Sequence, residues 1–79
     1  MTTLFIGGLP EHTTESLVRE TLEPVARVHA TRVLRDERDA RCRGVAYVTV
    51  SDREAAEHAV RALDGSLLEG HRLRVDFAR

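Results

Sequence analysis

The apolar positions of this 79-residue chain repeat with two different periods, and the places where the period changes mark out its elements. Leu4, Phe5 and Ile6 form a short apolar run stopped by Gly7-Gly8 and then Pro10, which predicts a strand over Thr3–Gly8. Val18, Leu22 and Val25 recur at i, i+4 and i+7 with Leu17 beside them, so one stripe of a helix is apolar. Thr13 is the expected N-cap of that helix, Glu15 stands in a first turn that favours acids, and Pro24 ends or distorts it. Thr31 and Val33, two apart, predict a strand over Val28–Leu34. Arg35–Arg43 is highly charged with no apolar period and reads as a loop. Gly44–Val50 (GVAYVTV) is β-branched and aromatic and is the clearest strand in the chain. Ser51 and Glu54 have the spacing of a capping box and open a second helix, whose buried stripe is Ala56, Ala59, Val60 and Leu63. Asp64-Gly65 closes it, Gly70 marks a turn, and Leu73 with Val75 defines a last strand.

The order strand, helix, strand, strand, helix, strand predicts an α+β fold, the ferredoxin-like βαββαβ sandwich. Its four-stranded antiparallel sheet carries both helices on one face and leaves the other face open. Strand side chains alternate between the two faces. Leu4, Ile6, Thr31, Val33, Ala46, Val48, Val50, Leu73 and Val75 then point to the core. Phe5, Arg32, Leu34, Val45, Tyr47, Thr49, Arg72, Arg74 and Asp76 point outward. No repeat, linker or low-complexity segment interrupts the pattern, and one domain over residues 1–79 is expected.

Size and composition narrow the function. A domain this small buries only roughly 60% of the surface its unfolded chain exposes, so its core is thin and a large cleft between lobes is not expected. No apolar run is long enough for a membrane span, and the N-terminus lacks the pattern of a signal peptide. Cys42 is alone, which excludes an intrachain disulfide and a cysteine-pair zinc site. It is expected as a loop thiol in a reducing, cytoplasmic setting. His12, His29, His58 and His71 show no helical pairing and no cysteine partner, so neither metal nor cofactor is expected. Gly7-Gly8 lacks the spacing and the following Lys-Ser/Thr of a phosphate loop. The chain contains no Asn, which weighs against an acylphosphatase-like hydrolase on this fold, and no enzymatic activity is expected.

The net charge of −1 argues at first against a nucleic-acid partner, but its distribution reverses that reading. Glu11–Val25 holds four acids against one Arg, and Ser51–Gly70 five acids against two. Arg27–Arg43 holds six Arg against three acids, and His71–Arg79 three Arg against one. The acidic stretches are the helices at the back; the basic ones are strands, loop and C-terminus at the front, so a small net charge hides a polarised field. All twelve cations are Arg, each a planar fork suited to phosphates and to stacking.

The only aromatics are Phe5, Tyr47 and Phe77, and the first two fall on the open face. Exposed rings on a small domain call for a partner. With Arg32, Arg43, Arg72 and Arg74 around them they form a stacking platform with a cationic border, matched to the π-faces and phosphates of unpaired nucleotides. Phe77–Arg79 is the segment expected to tune specificity.

These residues resemble the RNA recognition motif family. LFIGGL (Leu4–Leu9) is similar to its hexapeptide motif, and RGVAYVTV (Arg43–Val50) to its octapeptide motif, K/R-G-F/Y-G/A-F/Y-V-x-F/Y. Asp36 before the loop, Ala56, Ala59 and Val60 with Leu63-Asp64-Gly65, and Gly70, Leu73, Val75 and Ala78 extend the resemblance over nearly the whole chain. The likeness is to small bacterial and organellar members. It implies that Phe5 and Tyr47 stack on neighbouring nucleotides and that Arg43 contacts a phosphate. Val45 stands where the family usually has a third ring, and Gly8 where it often has Asn. Ala26 replaces a frequent Gly and Val50 a buried aromatic.

Each stacked base is worth roughly 1–3 kcal/mol, and micromolar affinity needs about 8 kcal/mol, so two rings depend on phosphate contacts for the rest. The expected activity is modest-affinity binding of short single-stranded RNA with loose sequence preference, with single-stranded DNA as a second candidate, by a monomer. The alternative is a protein-interaction module of the same family, using either the open face or the helix face. At single positions the alternatives are structural. Arg43 could pair with an acid of the Asp36–Asp39 loop, Asp76 could hydrogen-bond a base edge but is expected instead to pair with Arg74, and Arg38 and Arg41 are loop residues that could clamp RNA.

Overall fold

The computed structural model describes residues 1–79. Its elements are β1 (Thr2–Gly7), α1 (Glu15–Leu22), β2 (Val28–Arg35), β3 (Cys42–Val50), α2 (Arg53–Leu63), the short strands β4 (Leu67–Leu68) and β5 (His71–Arg72), and β6 (Arg74–Phe77). The main sheet is antiparallel, in the order β2-β3-β1-β6, and both helices lie on one of its faces. No helix is long and apolar enough to cross a membrane.

The core is the layer between sheet and helices. Leu4, Ile6, Val33, Ala46, Val48, Val50 and Val75 come from the strands, and Val18, Leu22, Ala56 and Ala59 from the helices, all buried. Two alanines on α2 let that helix approach the sheet closely. The hydrophobic contribution rests on aliphatic side chains, each worth about 1.5–3 kcal/mol when fully buried.

Both helix starts lie one residue from the expected place. Thr14, not Thr13, caps α1: its hydroxyl accepts from Leu17 N–H at 3.1 Å. Thr13 is fully buried and its hydroxyl donates to the Pro10 carbonyl at 2.7 Å, so it is already committed to the preceding turn. In α2 the cap is Asp52, which accepts from Ala55 N–H at 2.8 Å, and the Ser51/Glu54 capping box does not form. Asp is as good a cap as Ser, and its charge also suits the helix N-terminus. Pro24 follows directly on the end of α1, as expected of a residue with no N–H to donate.

Strand β3 begins at Cys42, two residues earlier than Gly44. Cys42 is therefore a buried strand residue and not a loop thiol; its N–H donates to the Glu11 carbonyl at 2.8 Å. The β4–β5 hairpin was not expected, being only two residues per strand. Its turn residues Glu69 and Gly70 both have positive φ, the geometry of a tight primed turn. The Glu69 carboxylate meets His12 Nε2 at 2.6 Å, tying the hairpin to the loop after β1.

The exposed edge of β2 is covered by Glu15. Its carboxylate accepts from Arg35 Nη2 at 2.8 Å and from Val33 N–H at 3.3 Å. The hydrogen bond from Arg35 is the main reason its carboxyl is held below the usual carboxylate range. A depressed folded pKa means that this latch stabilises the fold above the unfolded value of about 4.5 and is lost as pH falls through the folded value. Because the pair is solvated, Glu15→Gln is expected to cost at most about 1 kcal/mol at neutral pH. Urea unfolding of both proteins should show the difference at pH 7 and none once both carboxyl positions are neutral, near pH 2.

Candidate nucleic-acid interface

The strand register arranges the open face in rows. Arg32 on β2 stands opposite Tyr47 on β3, Tyr47 opposite Phe5 on β1, and Phe5 opposite Asp76 on β6. One row therefore runs across all four strands as cation, phenol, phenyl and carboxylate. A neighbouring row holds Val45, Gly7 and Arg74, and the row on the other side holds Ala30, Thr49 and Thr3. The Thr3 and Thr49 hydroxyls lie 3.4 Å apart.

Phe5 and Tyr47 meet edge to face, with centroids 6.1 Å apart and planes at 66°. Tyr47 is exposed and Phe5 half-buried. Gly7 gives the phenyl ring its room: a Cβ there would sit 2.9 Å from Phe5 Cε2. The ring thus leans along β1 over a backbone with no side chain. Gly7 contributes to the site in a way that the motif alone did not reveal, since its role depends on which way the ring tilts.

The arginines divide into two sets. Arg19, Arg35, Arg38, Arg41 and Arg53 each have a carboxylate partner within 4.0 Å. Arg41 bridges Glu11 and Asp39, and Arg38 pairs with Asp36, so the two loop cations suggested as an RNA clamp are engaged within the protein. Those pairings leave Arg43 exposed and without a carboxylate neighbour, although the Asp36–Asp39 loop is close in sequence. Arg32, Arg74 and Arg79 are likewise exposed and unpaired. Arg72 is exposed too, but Nη1 donates to the Gly65 carbonyl at 2.7 Å, which holds its guanidinium at the hairpin.

The structure places Phe77 and corrects the expected pairing of Asp76. Phe77 belongs to the helix side: it is opposite the buried Leu4 in register, packs against the core, and carries the Arg53 guanidinium 4.5 Å from its ring centroid. The two-residue alternation that turns Val75 inward turns Phe77 the same way. Asp76 makes no ion pair with Arg74; its Oδ1 accepts from Phe77 N–H at 2.8 Å. A hollow of about 500 Å³ at the β6 edge is lined by Phe5, Tyr47, Arg74, Asp76, Phe77 and Arg79, with Val60 of α2 and Asp64 just after it, so Phe77 borders the same hollow as the two open-face rings.

An uncovered four-stranded antiparallel sheet with adjacent rings on its two central strands, backed by two helices, defines a class of nucleic-acid-binding domain. The RNA recognition motif model matches residues 4–74, and this chain belongs to that family. It is 40% identical over 75 residues to glycine-rich RNA-binding protein 3, mitochondrial, of Arabidopsis thaliana, covering 95% of this chain and 24% of that protein. It is 36% identical over 77 residues to RNA-binding protein 38 of Xenopus laevis, covering 98% and 36%. The chain thus spans only about a quarter to a third of these relatives. Among solved structures, the Sxl-lethal protein/RNA complex superimposes with a TM-score of 0.91 at 32% identity, covering 98% of this chain and 47% of that one.

Proposed function

We propose that this chain binds short single-stranded RNA on the open face of its sheet, by stacking bases on Phe5 and Tyr47 and pairing phosphates with arginine. The observation that carries this reading is the row Arg32–Tyr47–Phe5, in which two touching rings lie uncovered next to a cation without a partner. Family membership and relatives named as RNA-binding proteins support RNA as the general ligand class. Arg43, Arg74 and Arg79 are the further cations free to meet phosphates. Val45 offers no third ring, so affinity is modest and a good part of it is electrostatic. The domain is a binding module and the proposal includes no catalytic step.

The test is a titration of labelled random hexamers and homopolymers at two salt concentrations. Binding should saturate, and two or three phosphate contacts should weaken it by about tenfold between about 50 and about 200 mM salt. The absent third ring at Val45 and the negative net charge are what favour a second reading, a protein partner; no RNA binding even at low salt would decide for it.

A further inference from the structure

Asp76 is the one member of the four-strand row that a phosphate-binding surface does not account for. It stands opposite Phe5 in register, exposed, at the rim of the hollow beside both rings. A carboxylate there repels the RNA backbone, so on electrostatic grounds it is a defect. Arg74 does not neutralise it, and neither Arg79 nor any other cation lies within ion-pairing distance. Nor is it free to swing away: the bond from Phe77 N–H to Oδ1 fixes the plane of the group and leaves Oδ2 as an open acceptor. Oδ1 itself retains a second lone pair.

We infer that Asp76 is a specificity-determining residue that selects guanine for the base stacked on Phe5. This rests on the RNA-binding reading above. A base lying on the Phe5 ring has its edge within reach of the next strand, since neighbouring strands are about 4.8 Å apart. An ionised carboxylate only accepts, so it discriminates by the donors that edge presents. Guanine offers two adjacent donors, N1–H and the N2 amino group, which match the two oxygens of a carboxylate as a bidentate, charge-assisted pair. Adenine and cytosine offer an amino group next to a ring nitrogen acceptor. Uracil offers a single N–H between two carbonyl oxygens. Each of these sets at least one lone pair against the carboxylate. The preference is confined to one nucleotide and leaves the remaining positions loosely read.

The experiment measures binding of labelled hexauridine and of hexamers with a single G, A or C moved along the uridine background, for the wild type, Asp76→Asn and Phe5→Ala. Wild type should bind the best-placed G-containing hexamer about tenfold more tightly than hexauridine, in line with a charge-assisted bond between partners shielded from water. Asp76→Asn keeps an oxygen to accept from Phe77 N–H, so the strand end is undisturbed. It also removes a negative charge, which should strengthen binding to the hexamers without a G, while the G-containing hexamer loses its carboxylate partner. The decisive quantity is therefore the ratio of G to U affinity, which should fall to near one in this variant. Wild-type binding without a G preference, or a preference that survives Asp76→Asn, would overturn the role of Asp76 while leaving RNA binding intact. Failure of the wild type to bind any hexamer at low salt would instead overturn the RNA-binding reading on which it stands.

Discussion

Phe5→Ala and Tyr47→Ala are each expected to weaken RNA binding by about 1–3 kcal/mol, from about fivefold to more than a hundredfold, while the domain stays folded. Both rings lie on the solvent side of the sheet, and the sixteen-residue core cluster beneath includes neither. Removing a ring therefore opens no core cavity. The rings are in edge-to-face contact, so they also hold each other in place. The double variant should accordingly lose less than the sum of the two single losses, the mark of coupled neighbours. Fluorescence anisotropy with a short labelled RNA gives the affinities, and far-ultraviolet circular dichroism with thermal melting shows that the fold persists. Unchanged affinity in both single variants would remove the stacking platform from the mechanism.

Gly8→Ala is expected to be the most damaging single-methyl change in the chain, for backbone reasons alone. Gly8 has φ of +78°, in the left-handed region that side chains rarely adopt. A Cβ there would lie 2.3 Å from the Arg72 carbonyl oxygen. That oxygen belongs to the backbone just before β6, so relief requires the hairpin end or β1 itself to shift. The left-handed conformation costs a residue with a Cβ of order 1–2 kcal/mol, and the clash adds to it, for a total of about 2–4 kcal/mol. Domains of this size are stable by roughly 4–12 kcal/mol, so a large fraction is lost, and the melting temperature should fall by more than about 10 °C. By contrast Gly65→Ala, also at positive φ but with nothing within 4 Å of the added Cβ, should cost only the conformational part. A Gly8→Ala melt no lower than that of Gly65→Ala would refute the steric account.

Much of the architecture was legible because periodicity records burial. Leu4 and Ile6, Ala46 to Val50, and Val18 with Leu22 each announce one buried face, and alternation alone then puts Phe5 and Tyr47 on the other. Errors arose where a local rule had two adjacent candidates. Thr13 and Thr14 are the same residue type, and only the bond from Thr13 to Pro10 decides which is the cap. Ser51 and Asp52 present the same ambiguity. Alternation turns Phe77 inward with Val75, but that the Arg53 guanidinium lies over its ring could not be read from the strand pattern. The pairing of arginines could not be read at all, because Arg41 finds Glu11 and Arg35 finds Glu15 across long stretches of chain.

By itself the sequence determined the order of the elements, the two faces of each strand and the class of ligand those faces suit, since these follow from side-chain type and spacing along the chain. Tertiary structure decided which cations are free, that Asp76 stands uncompensated beside Phe5, and that the ring lies in space left by Gly7. Those are distances between atoms remote in sequence, and only strand register and close packing set them.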